Sequence, residues 1–381
     1  MSENNLTGNK GEWSEIYIFF KLLADKKVYA ADKDLNKLQD VFLNIIRIIR
    51  EEESGYEYSY YPTEESNVKI LLNGKETSKI QKEDLKEYLE KIWTLISNEK
   101  GSFTDEKIAD FLQSIFITKL KAPAQKSNKY FGGTQDITLE TEDYRSGVHQ
   151  IVGFSCKSDL SAAATLFNAS GDNTNFEFKI DGKFSDKMME QFNSITNDKG
   201  HTDINGRMKF LHDNNLDLIF TQPVSTIAEQ NLILACGIEM PSVIGEMLYY
   251  YYYQNYGKSA GLKDALPWIV NKNPAAYKLS DLTGVYTYRI QTLLYTMFTG
   301  MRFGTPWNGK SEVNGGYIAV KNNGDVVAYH TCIADEFKEF LFENLRFESP
   351  SCSRHKCMSV YKKGNDYFVK FPLQIRFAMK K

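Results

Sequence analysis

The chain has 381 residues, 42% of them hydrophobic and 25% charged, a mixture that excludes a disordered, collagen-like or low-complexity protein. At this length roughly three quarters of the unfolded surface is buried on folding, so a core forms without disulfide or metal staples. With 46 Lys and Arg against 49 Asp and Glu the net charge is −3, which excludes an all-over basic coat but leaves room for a local basic cleft.

Helices are predicted first. Ile16, Phe19, Phe20 and Leu23 recur at helical spacing after Trp13, and Leu38, Phe42, Ile45, Ile46 and Ile49 do the same, with Glu51, Glu52 and Glu53 as a solvated helix end. Residues 56–72, interrupted by Pro62, read as a short hairpin closed by Asn73-Gly74. Two amphipathic helices follow. Leu85, Leu89, Ile92, Trp93 and Ile96 stripe the first, and Thr104 caps the second, with Asp105 and Glu106 suiting the helix dipole. Residues 119–129 form a basic link, 135–158 carry strand patterning, and 161–175 are rich in small residues. Helices return around 188–195, 227–236, 243–253 and 288–297. The tyrosine run 249–253 is expected to pack a helix, with base stacking as the alternative. The last eighty residues read as α+β. Asn323-Gly324 turns one hairpin, a helix runs through Phe337 and Leu341, and a second hairpin turns at Gly364-Asn365 and leads to Phe377.

Five cysteines (Cys156, Cys236, Cys332, Cys352, Cys357) lack framework spacing and read as free thiols of a reducing cytoplasm. His355 between Cys352 and Cys357 hints at zinc, but no second ligand pair follows. The N-terminus lacks a signal peptide's apolar stretch. Residues 244–256 are cut by Glu246, Gln254 and Asn255 and fall short of a membrane span. The expectation is a soluble intracellular protein.

Chemistry is expected at the 135–158 hairpin. Asp136 lies on a strand with one acidic face, and a turn near Ser146 places it opposite Cys156, with Ser155 and Lys157 as diagonal neighbours. A carboxylate that holds Mg²⁺ beside a lysine that meets developing phosphate charge suits phosphodiester hydrolysis. The pattern alone is more often that of a surface ion pair.

The sequence also resembles a known family. Residues 9–17 (Asn9, Lys10, Gly11, Glu12, Trp13, Ser14, Glu15, Ile16, Tyr17) and 21–25 are similar to the opening of the HpaII family of type II restriction endonucleases. So are Gly153 to Ser158, the segments 165–170 and 174–176, and the ending 373–377. These blocks occur in order along nearly the whole chain. The resemblance implies an α/β fold with a mixed-sheet PD-(D/E)XK nuclease core flanked by helices. It further implies Mg²⁺-dependent cutting of double-stranded DNA at a short, GC-rich, palindromic site, with a DNA methyltransferase as companion. A two-fold site is most simply read by a homodimer.

Carried over by residue, Asp136 matches the motif's first acid and Lys157 its lysine, while Gln135 stands where proline is usual and Ser155 where the second acid is usual. Serine is a poor metal ligand, so another carboxylate is needed. Glu15 on the first helix is the leading candidate, Asp159 and Asp172 are weaker, and Glu140 lies about 13 Å along the strand, too far to share an ion. Glu177-Phe178-Lys179 imitates the acid-x-Lys half-motif but reads as an exposed strand edge whose alteration costs little. For DNA contact, the loop with Ser353, Arg354 and His355 offers Arg354 to guanine and serines to phosphates. Asn168, Ser170 and Asn175 form a second polar cluster, and Trp307, Asn308 and Lys310 are further candidates.

The domain reading is a helical N-terminal region plus nuclease core over 1–240 and a helical and α+β DNA-recognition portion over 241–381. Two rivals stand beside the nuclease: a sequence-specific DNA-binding protein without cleavage, which Ser155 favours, and a helical scaffold, which the tyrosine run favours. Walker, Rossmann, His-Glu-x-x-His and GxSxG signatures are missing from the sequence, which disfavours nucleotide hydrolases and peptidases.

Overall fold

The computed structural model describes residues 6–121, 135–158, 165–311, 315–330, 333–355 and 357–378. The fold is mixed α/β, and the chain divides into two compact units, Met1–Ala162 with Glu312–Phe337, and Ala163–Ser311 with Lys338–Lys381. Residue 240 falls inside the second unit. The hairpin 316–330, expected in the C-terminal portion, belongs to the first.

In the first unit the helix Lys10–Asp25 begins with a capping box: Asn9 accepts from the backbone of Gly11 and Glu12, and Glu12 reaches back to the Asn9 amide. Trp13, Ile16, Ile18, Phe19, Phe20, Leu22 and Leu23 are all buried, so apolar side chains surround the helix and it belongs to the core.

The second expected helix is instead the 17-residue strand Lys37–Glu53. A bulge between Ile45 and Arg47 shifts its phase, so Leu43, Ile45 and Ile48 share the core although their spacing is not alternate. That phase shift imitates a helical period, while the density of Val and Ile is what a strand requires. The Glu51–Glu53 run is likewise not a solvated end. Glu52 is 3% exposed, pairs with Arg50 at 2.7 Å, and accepts from Thr118.

This long strand joins Lys27–Ala31, Ile137–Asp143, His149–Ser158, Gly316–Val320 and Val326–His330 into a closed six-strand ring. It then continues into a meander of Tyr56–Pro62, Val68–Leu72 and Lys75–Ile80, in which Asn73-Gly74 opens a further hairpin. Most pairings are antiparallel, but Gly316–Val320 runs parallel to His149–Ser158, and Val326–His330 parallel to Lys27–Ala31. The amphipathic helices are Lys82–Asn98 and Glu106–Ser114, the latter capped by Asp105 rather than Thr104.

The second unit holds the sheet of Asp217–Pro223, Asn175–Asp181, Asp366–Pro372 and Tyr361–Lys363, and a smaller one of Thr165–Phe167, Ile375–Phe377 and Leu345–Phe347. Its helices include Asp186–Ser194, Thr226–Cys236, Met240–Tyr249 and Leu282–Phe298. The tyrosine run packs, as the first of its two readings has it: Tyr251 and Tyr252 are 2% and 0% exposed, and the Tyr252 hydroxyl donates to the Pro372 carbonyl. Among the described residues no single helix is long and apolar enough to cross a membrane. Cys156, Cys236, Cys352 and Cys357 are free and buried; Cys332 lies outside the described residues.

Candidate active site

The hairpin is closed between Asp143 and Val148, where the Asp143 carboxylate accepts from the amides of Arg145 and Ser146 and from the Ser146 hydroxyl. This turn pairs Ile137 with Phe154, one residue away from the expected register, so Asp136 is not opposite Cys156. Its amide donates to the Phe154 carbonyl. The convergence survives the shift because Asp136 precedes the strand's first residue and its carboxylate reaches the neighbouring strand. Asp136 Oδ2 accepts from Ser155 Oγ at 3.0 Å and from the Cys156 amide at 2.8 Å. Lys157 Nζ donates to Ser155 Oγ at 3.0 Å and to the Cys156 carbonyl at 3.1 Å, and stands 3.9 Å from Asp136 Oδ2.

Glu15, on the buried first helix, joins this group electrostatically. Burial and then the charge of Asp136 push its carboxyl up to about 8, against the opposing pull of Lys121, Lys157 and Arg50. Glu15 Oε2 is buried and has no hydrogen-bond partner among the described residues. Arg50 is a contributor that sequence reasoning missed, because it was read as part of a helix. Its guanidinium is fixed by Glu52 and the Lys119 carbonyl. The β-branched density around it was the available signal.

An unsatisfied buried carboxylate oxygen beside a second carboxylate fits a divalent cation, with Asp136 and Glu15 as the residues to hold it. The described residues contain no cluster of three or more His, Cys, Asp or Glu placed as a metal site. The other acids are engaged elsewhere. Glu140 pairs with Arg47 at 2.5 Å; Asp172 belongs to the second unit and pairs with Lys370 at 2.8 Å; Asp159 lies outside the described residues.

The half-motif at Glu177 is not an exposed edge. Its strand is internal, paired on both sides, and Glu177 is 4% exposed. Burial raises its carboxyl, but hydrogen bonds from Lys363 and Tyr361 outweigh this and hold it below the usual range. Lys179 pairs with Asp366. These contacts make the segment a structural ion cluster.

In the second unit the two polar clusters read separately from the sequence meet. Asn168, Arg354 and His355 line one cleft of about 600 Å³ together with Ser349, Ser351, Gln374 and Arg376. His355 Nδ1 accepts from the Gly171 amide, which leaves Nε2 to carry the proton of the neutral ring. Burial and then Arg354 lower its pKa. Ser170 is exposed beside this wall, its amide bonded to Thr174. Asn175 does not offer itself to DNA: it is 1% exposed, and its amide donates to Asp172 and to the His355 carbonyl. Ser353 lies on the short helix Cys352–His355, but its side chain is outside what is described. Tyr251 bonds Ser349 at 3.0 Å, so the tyrosine run anchors the cleft wall. Asn231 ties down the loop of Trp307 through the Arg302 and Thr305 carbonyls and the Trp307 amide.

Comparison with known proteins gives this geometry its context. The profile of the HpaII restriction endonuclease matches residues 9–377. The type II restriction enzyme HpaII of Haemophilus parainfluenzae is 34% identical over 373 residues, 97% of this chain and 98% of that one. No solved structure matches. The mixed α/β chain, with an acid and a lysine gathered on one hairpin, is a site-specific deoxyribonuclease. It belongs to the HpaII restriction endonuclease family.

Proposed function

We propose that the protein hydrolyses phosphodiester bonds in double-stranded DNA at a short, GC-rich, palindromic site, with Mg²⁺ as cofactor. The observation that carries this reading is the convergence of Asp136, Ser155, Lys157 and Glu15. Lys157 places positive charge where a scissile phosphate gains negative charge, and Ser155 aims it. Ser155 also donates to Asp136, so the residue at the usual second-acid position orients both of its neighbours. Mg²⁺ held by Asp136 and Glu15 would supply charge neutralisation at the phosphate. Glu15 then serves as the second acid, contributed by a helix instead of the strand.

We read the first unit as a divergent PD-(D/E)XK core: a hairpin with the acid and lysine, a parallel neighbour, and a buried helix with a further acid. Closure of the strands into a ring is its departure from an open sheet. The second unit is the recognition part, with Asn168, Arg354 and His355 on its cleft. The enzyme works in the cytoplasm as a homodimer on a two-fold site, beside a methyltransferase that protects the same site. Incubation with long mixed-sequence DNA, with Mg²⁺ or with chelator, tests this. Discrete fragments with Mg²⁺ alone are expected; intact DNA in both arms, with binding retained, would leave a DNA-binding protein without cleavage.

A further inference from the structure

In the smaller sheet of the second unit, Arg346 and Arg376 stand directly opposite each other on adjacent antiparallel strands. Their strand neighbours Leu345, Phe347, Ile375 and Phe377 are buried, so both arginines occupy the outward face. Like charges directly opposite on neighbouring strands destabilise a sheet. A pair of this kind is retained most simply when an electron-rich ligand meets it.

Glu348 only partly relieves the repulsion. Its Oε2 lies 2.5 Å from Arg376 Nε and accepts from Gln374 Nε2 at 2.6 Å. Gln374 Oε1 in turn accepts from the Ala169 amide. Arg376 is thus held at its Nε by an ion-pair contact that is not aligned as a hydrogen bond, and among the described residues its terminal nitrogens have no partner. Arg376, Gln374 and Glu348 all line the cleft. Arg354, on the same cleft, is exposed and has no such clamp.

The geometry points to Arg376 as the residue that reads a guanine, with Glu348 as its positioning residue; this rests on the reading of the cleft as the DNA-contact surface. A guanidinium fixed through Nε presents two parallel N–H groups, the fork that matches guanine O6 and N7. Clamping in advance removes much of the ordering cost that the unheld Arg354 would meet on binding. The carboxylate disfavours a phosphate at the same spot, which selects a base edge over the backbone.

The test is cleavage of a randomised duplex library, with the cut ends sequenced. Arg376→Lys keeps the charge and loses the fork, so discrimination at a guanine position should fall about tenfold or more, while affinity for random duplex at low salt stays within about twofold. Glu348→Gln should relax the same position, with an unchanged melting temperature and tighter binding to random DNA. An unaltered preference profile in both variants overturns the assignment. Asn168→Glu with Ser351→Glu, two exposed cleft positions, separates this from failure of the underlying reading. If that variant binds DNA normally, the cleft is not the contact surface. If it binds poorly while Arg376→Lys keeps the wild-type profile, only the role of Arg376 falls.

Discussion

Lys157 donates to Ser155 Oγ at 3.0 Å, so the serine that replaces the usual second acid is the group that aims the lysine. Ser155 gives the lysine a neutral hydrogen-bond partner beside its 3.9 Å approach to Asp136 Oδ2.

Removing the members of this group should have graded effects. Asp136→Ala and Lys157→Ala are each expected to slow single-turnover cleavage by about a hundredfold or more, with cognate DNA still bound in chelator. Ser155→Ala should cost only about tenfold, since it loosens Lys157 without removing a charge. Equal rates for all three variants and wild type would place the chemistry elsewhere.

If Glu15 holds the proposed metal, its binding should depend on pH. In the metal-free protein its carboxyl is held up at about 8 by burial and by Asp136, so it is protonated at neutral pH and must release that proton to bind a cation. Mg²⁺ affinity is expected to rise as pH approaches 8 and to level off above it. Calorimetry at pH 7 in buffers of different ionisation heat should show proton release that Glu15→Gln abolishes. For the metal-free fold the sign is the reverse. The folded pKa exceeds the unfolded one, so this group's stability contribution is present below about 4.5 and is lost as pH rises to about 8.

His330 titrates in the opposite sense. It is 1% exposed, neither ring nitrogen has a partner among the described residues, and burial lowers its pKa to about 4 in spite of Asp143. Its folded pKa lies below its unfolded value near 6.5, so stability is intact above 6.5 and falls as pH drops to about 4, by about 3 kcal/mol. Urea unfolding at pH 7 and pH 4.5, compared with His330→Gln, isolates this contribution. A variant with the same pH dependence as wild type would refute it.

Glu177→Ala should destabilise the second unit by about 2 kcal/mol, because a buried carboxylate with three side-chain donors is lost while half-exposed Lys363 can be rehydrated. Its cleavage rate well below the melting temperature should remain normal. A collapse in rate without loss of stability would reopen the half-motif as a catalytic site.

The sequence pointed to the grouping of Asp136, Ser155 and Lys157 and less to the sheet around it. The nearness of Asp136 to Lys157 was legible from the hairpin pattern, the proposed roles of these two and of Glu15 came from the family resemblance, and the Asn323-Gly324 turn declared its hairpin. The strand Lys37–Glu53 was hidden by its bulge, which turns a two-residue period into an apparent helical one. Burial of Glu177 was invisible because a charged residue between aromatics reads as surface until both flanking strands are known. The parallel pairing of Gly316–Val320 with His149–Ser158 leaves no local trace at all, since some 150 residues intervene. Joining of the Asn168 and Arg354 clusters into one cleft is long-range in the same way.

That parallel pairing also sets an order of assembly during synthesis. The strand bearing Ser155 and Lys157 keeps an open edge until residues 316–320 leave the ribosome, by which time the whole of the segment Ala163–Ser311 has been made. Emerging chains fold as units complete themselves, so the first unit can close its sheet after Ala163–Ser311 has been made but before Lys338–Lys381, with Arg354 and Arg376, has followed. A premature stop anywhere in that intervening segment releases an unclosed sheet.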